Sequence, residues 1–254
     1  VQKLKKSIHF MILAIVLAQL NFRCSTTAVE DDSPPEAQYA EGERLLKRSR
    51  YLEASERFRI LKNRHPYSIY AALAALRMGD VYYEQETFAE AASAYKVFLE
   101  LFPKHAQADY AAFRMGESYY KQVPDSIDRD LDAASSGITA FQRLQKEHPN
   151  SPHVARAQQM EKELRARLAE KEEYVADFYF KRDDYNAAAA RYRNILSEYP
   201  ESPLQEKALY RLALTYEKMG EKAKALEALD RLRADFPNGK YVREAAPLER
   251  TLKK

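Results

Sequence analysis

The side chains that could do chemistry in this sequence are few and scattered. Of 254 residues, one is cysteine (Cys24) and five are histidine. His65 and His148 each precede a proline, a place taken by Phe102, Tyr199 and Phe236 before Pro103, Pro200 and Pro237. They read as packing substitutes rather than as ligands or bases. His105 and His153 open helices and have no cysteine or paired histidine at metal spacing. There is no Gly-rich phosphate loop, no H-E-x-x-H and no G-x-S-x-G. The expectation is a protein without catalysis, metal or cofactor. The chemistry on offer is recognition: Tyr82-Tyr83 and Tyr119-Tyr120 are doublets, with Arg77 and Arg114 five residues before the first tyrosine of each. Arginine forks bind carboxylates by charge-assisted hydrogen bonds, and aromatic faces stack. Such a groove suits a peptide ending in an aromatic residue and a carboxylate. The candidates are Arg77, Tyr83, Arg114 and Tyr120; ordinary packing of each is the competing reading.

A repeated skeleton must position them. Residues 79–103 carry small Gly79, aromatic Tyr82, small Ala91, aromatic Tyr95 and closing Pro103. Four further copies have the first small residue at Gly42, Gly116, Ala176 and Ala213, and the second at Ala54, Gly137, Ala188 and Ala225. The closing prolines are Pro66, Pro149, Pro200 and Pro237, always 12 residues after the second small residue. Intervals between prolines are 37, 46, 51 and 37 residues, so one insertion falls in the third repeat and one in the fourth. These offsets are those of the tetratricopeptide repeat. Each unit is two antiparallel helices that touch closely at the small residue, with proline ending the second. No pair buries its apolar face alone, so the units stack into a superhelix with a concave face. The fold expected is all-α, a tetratricopeptide superhelix of five helix pairs with a long insertion helix in repeat four. Tyr82 and Tyr119 fall on template positions and belong to the core; Tyr83 and Tyr120 lie about 100° further round.

Composition agrees. Charged residues make up 31% with a net charge of +3, both signs spread along the chain, which gives no basic stripe for nucleic acid. At the N-terminus, Lys3, Lys5 and Lys6 precede an apolar run at 8–20, short of the roughly 18 residues of a spanning helix. Residues 1–23 read as an export signal. Cys24 follows at once, at the position where a bacterial lipoprotein is lipidated, although Phe22 and Arg23 are not the small residues of that pattern. Residues 24–35 are then a lipidated flexible tether.

Further along, Val123-Pro124-Asp125 breaks the third repeat, and 128–130 should start its second helix. Ser151 and Ser202 read as N-caps with Pro152 and Pro203 at N1. The first helix of repeat four then runs about 30 residues, or roughly 45 Å, and should project past the stack. Asn238-Gly239 should end the fifth repeat's second helix, with residues 241–252 as a polar capping helix.

Several segments go beyond the generic repeat. They are YAEG (39–42), the Arg-Met-Gly before paired tyrosines (114–120), the loop at 128–130, HPNSPHVARA (148–157) and RLAEKEEYVADFYFKRDDYNAA (167–188). With the cysteine leader they resemble the BamD family, tetratricopeptide lipoproteins of the bacterial outer-membrane β-barrel assembly machine, over essentially all of 24–240. The resemblance implies a periplasmic scaffold, lipid-anchored to the outer membrane. It implies that repeats 1–2 (36–103) receive the C-terminal signals of unfolded outer-membrane β-barrel proteins. Repeats 3–5 with the capping helix (104–254) would dock BamA through its POTRA domain, and other Bam lipoproteins are possible partners. Arg191 falls on an arginine that contacts the POTRA domain in that family; a solvated helix face is the other reading of it. Two further classes share such repeats: a periplasmic coordinator of envelope division and a generic peptide-binding adaptor.

Overall fold

Where the first small residue of the template is glycine, at Gly42, Gly79 and Gly116, a neighbouring ring leaves no room for a side chain. The computed structural model describes residues 32–254, which form eleven helices. They pair as α1 (Pro35–Lys47) with α2 (Tyr51–Arg64), α3 (Ile69–Glu84) with α4 (Phe88–Leu101), and α5 (Ala108–Gln122) with α6 (Asp132–Glu147). Then come α7 (Val154–Lys181) with α8 (Tyr185–Glu198), α9 (Gln205–Lys218) with α10 (Lys222–Asp235), and the capping helix α11 (Lys240–Leu252). A Cβ placed on Gly79 would lie 2.5 Å from the ring of Tyr95, and one on Gly116 would lie 2.5 Å from Phe141. Ala176 and Ala213 take this position in the last two repeats and are fully buried.

That geometry makes a prediction. A Gly→Ala change inside a helix ordinarily gains about 0.5–1 kcal/mol. At Gly79 the added methyl strikes a ring that is itself fully buried, and overpacking of about 1–3 kcal/mol reverses the sign. Gly79→Ala should therefore lower the urea midpoint; a raised midpoint would show that the Tyr95 ring can give way.

The turns repeat as faithfully as the helices. Ser49, Glu86, Asp183 and Gly220 have positive φ, each seven residues after the first small residue of its repeat. The left-handed residue lets the chain close onto the finished helix, as in Thr87 N–H to Tyr82 O at 3.0 Å and Glu221 N–H to Tyr216 O at 2.9 Å. The residues before the closing prolines share one backbone geometry, φ running from −126° at His65 to −134° at His148 with ψ between 53° and 60°. The two histidines thus hold the same backbone position as Phe102, Tyr199 and Phe236.

Several boundaries differ from expectation. Ser151 Oγ accepts from His153 N–H and Ser202 Oγ from Leu204 N–H, both at 3.2 Å. Each serine thus closes a turn that absorbs the Ser-Pro pair, and the helices start at Val154 and Gln205. In the third repeat, residues 128–130 remain in the insertion loop, and Asp130 Oδ1 accepts from Asp132 N–H, 2.9 Å away, at the start of α6. The helix α10 stops at Asp235, before Pro237, and Gly239 instead caps α11.

The largest correction concerns α7. Its 28 residues do not project past the stack. Ala157, Met160 and Leu164 in its first half complete the core of repeats two and three. Ala176 in its second half opens the core of repeats four and five. The added turns are packed because they carry their own apolar face at three- and four-residue steps. A separate cluster around Phe58 and Leu61 holds repeat one. The same helix grips the third-repeat insertion: Arg167 donates to the carbonyls of Pro124 and Asp125, and Lys171 to those of Ile127 and Arg129, at 2.6–3.2 Å.

Candidate functional site

Three of the four groove candidates meet in one network, and its centre is a residue the spacing argument passed over. Asp80 follows the close-contact Gly79 and so points into the seam between repeats two and three. Its carboxylate accepts from Tyr95 Oη (2.6 Å), from Tyr110 Oη (2.8 Å) and from Arg77 Nη1 (2.7 Å). Arg77 also donates to Glu43 of repeat one at 2.7 Å. Arg114, on the first helix of repeat three, reaches back to Tyr95 Oη at 3.3 Å and to Glu117 at 2.9 Å. Its guanidinium lies 3.5 Å from the centre of the Tyr83 ring, and its outer edge stands 3.6 Å from Glu84. Burial raises the Tyr95 and Tyr110 phenols well above their ordinary range, with the Asp80 charge adding to the effect. Burial also pushes Tyr83 up to about 12.

Tyr120 stands apart. Its hydroxyl donates to Glu163 on α7 at 2.6 Å, which ties repeat three to the long helix. Tyr82, Tyr83, Tyr119 and Tyr120 are all partly buried against the same core. The doublets therefore do not divide cleanly into a core member and a groove member.

The network is repeated. Asp177 follows the close-contact Ala176, accepts from Tyr192 Oη, and is bonded by Arg211 Nη2 at 2.8 Å. Arg211 donates to Tyr192 Oη at 3.0 Å and lies 4.3 Å from the centre of the Phe180 ring. The offsets agree residue for residue: aromatic at +3, tyrosine at +15 and arginine at +34 from the aspartate, in both Asp80 and Asp177. In repeat one Phe58 replaces the tyrosine, and only the Glu43–Arg77 pair remains. The signal was in the sequence as a second periodicity, carried by polar residues, beneath the small-residue template.

Arg191 lies on α8 with its side chain 42% exposed, paired across the seam with Glu172 of α7 at 3.1 Å. Asn194, one turn on, donates to the same carboxylate at 3.4 Å. A cleft of about 830 Å³ opens beside this patch, lined by Gln145, Gln159, Arg165 and Tyr199. A second groove of about 850 Å³ lies between the insertion loop and α7. Its Glu170, Glu173 and Asp177 are held by Arg167, Lys207 and Arg211. His105 packs edge-on to Phe98 at 5.3 Å, and His153 stacks on Phe113 at 4.8 Å. Among the described residues no cluster of three or more His, Cys, Asp or Glu could hold a metal, and no helix is long and apolar enough to cross a membrane. Cys24, the signal segment and most of the tether lie outside the described residues.

A stack of helix pairs whose polar groups lock one repeat to the next is the architecture of a repeat scaffold. Over residues 31–232 the chain matches the YfiO family, described as an outer membrane lipoprotein, and it belongs to that family. It is 28% identical over 216 residues to the outer membrane protein assembly factor BamD of Vibrio cholerae, covering 81% of this chain and 90% of that protein. Against the BamD of Neisseria meningitidis serogroup A the identity is 30% over 251 residues, covering 92% and 94%. Among solved structures, the TPR2AB domain of yeast Sti1 in its pHSP90 complex overlaps 87% of this chain and 98% of its own, with a TM-score of 0.43 and 20% identity.

Proposed function

We propose that this protein is a scaffold of outer-membrane protein assembly, lipidated at Cys24 and held on the periplasmic face of the outer membrane. The observation that carries this reading is the family match across nearly all the repeats. Repeats 3–5 dock the POTRA region of BamA, with Arg191 at the contact. What supports this is that the Arg191 side chain is 42% exposed and its ion-pair partner is Glu172. An acidic partner residue can share its exposed guanidinium, and Glu172, whose side chain is 19% exposed, keeps the bond from Asn194. Repeats 1–2 receive the C-terminal signals of unfolded barrel proteins at their seam with repeat three, with Arg77 and Tyr83 from repeat two and Arg114 and Tyr120 from repeat three as candidate contacts. There an incoming carboxylate competes with Glu84 for the outer edge of Arg114, while the inner edge stays bound to Tyr95.

The test is a pull-down from gently solubilised membranes with wild type and Arg191→Glu. Recovery of a large β-barrel protein with POTRA domains, lost in the variant, is expected. Because the new carboxylate faces that of Glu172, circular dichroism checks the fold of the variant, and Arg191→Gln, which removes the charge without adding repulsion, is run beside it. Equal recovery would move the docking site elsewhere, and no barrel partner with wild type would sink the assembly reading.

A further inference from the structure

The first three helix pairs run out and back, so the loops between them lie on one edge of that part of the stack, whereas the doubled length of α7 sets the later loops back along it. On that edge α1 begins, α2 ends, α3 begins and α4 ends. It is therefore where the N-terminal segment joins at Pro35. The same edge carries Tyr67, 101% exposed, Ile69 at 74% and Leu101 at 63%. The equivalent loops of repeats three to five (149–153, 199–204 and 236–239) expose no large apolar side chain. The apolar tips are thus confined to the two repeats next to the joining point. Lys62, in the last turn of α2, and exposed Lys104, just past α4, stand on the same edge.

We propose that this edge of repeats one and two rests on the lipid surface. The inference depends on the reading that Cys24 carries the lipid. Ten residues lie between Cys24 and Pro35, so even fully extended the link holds the edge within about 40 Å of the anchor. The opposite edge stands one 14-residue helix, about 21 Å, further away. The chemistry suits the boundary between headgroups and acyl chains. A tyrosine ring settles at headgroup level, aliphatic tips enter the acyl margin, and lysine stems bend their ammonium groups back to the phosphates.

The experiment uses the full lipidated chain purified from membranes and reconstituted in phosphatidylethanolamine–phosphatidylglycerol vesicles containing a nitroxide lipid. An environment-sensitive fluorophore is placed on Tyr67→Cys, on Leu101→Cys and, as control, on Leu52→Cys, an exposed apolar residue at the opposite edge. Mass spectrometry of each preparation reports the lipid on Cys24. Loss of most emission at 67 and 101, with emission at 52 retained, is the expected result. With Cys24 lipidated, equal emission at all three positions overturns the edge contact and leaves the anchor standing. Shielding at 67 from aqueous iodide without nitroxide quenching means that a protein covers the edge, and overturns it too. A Cys24 free of lipid overturns the anchor and this inference with it.

Discussion

Asp80→Ala should cost about 3–5 kcal/mol in urea unfolding, the range for removing one partner of a buried charged network. The aspartate side chain is only 9% exposed and is the common acceptor for Tyr95, Tyr110 and Arg77. Without it fully buried Tyr95 and the partly buried Tyr110 and Arg77 each lose an acceptor, and Arg77 keeps only Glu43. Asp177→Ala should cost less, about 1–2 kcal/mol, because the Asp177 side chain is 31% exposed and water can replace it. Tyr95→Phe, which removes one donor to Asp80 and the oxygen that Arg114 reaches at 3.3 Å, leaves Asp80 bound to Tyr110 and Arg77 and should cost only about 1 kcal/mol. The ranking is the sharper test. If Asp80→Ala and Asp177→Ala proved equal, burial would not be what sets the strength of the lock. An Asp80→Ala protein within about 0.5 kcal/mol of wild type would remove the lock altogether, since that is the spread of unremarkable surface changes.

How much of this was legible depends on what kind of residue carried the signal. Gly79 against Tyr95 and Gly116 against Phe141 could be read directly, because close approach tolerates only the smallest side chains and leaves a fixed offset. The five closing prolines could be read for the same reason: few backbones are open to the residue before a proline. The aspartate locks were written at equally regular offsets. A charged residue beside a helix contact usually faces water, so nothing in composition marks Asp80 as buried. Arg77 and Arg114 were recognised as binding groups, yet most of their donors are turned inward, toward Asp80, Tyr95 and Glu117. The Ser-Pro starts slipped by two residues because serine can close a turn as well as cap a helix, and sequence does not decide between those hydrogen bonds. The long helix was read correctly in length and wrongly in place. Ala157, Met160 and Leu164 already spelled a buried face, whereas the extra length alone suggested a projection.

That face gives α7 a mechanical role, and Ala169→Pro should expose it. Ala169 is fully buried, yet it falls between the core of repeats two and three and the core of repeats four and five, in neither cluster. The helix on either side of it belongs to both cores, so its continuity makes the stack one cooperative unit. Stability in repeat arrays is a sum of unit and interface terms, and weakening one interface divides the array. Proline at 169 removes a backbone hydrogen bond and clashes with the carbonyl four residues back, about 3 kcal/mol or more. The wild type should unfold in one transition and Ala169→Pro in two, with proteolytic nicking appearing near 165–173. Ala169→Gly weakens the helix by only about 1 kcal/mol and should keep a single transition at a lower midpoint. A single transition in the proline variant would mean that contacts outside α7 couple the halves. In that case Arg167 and Lys171, which tie α7 to the insertion loop of repeat three, are the next residues to remove.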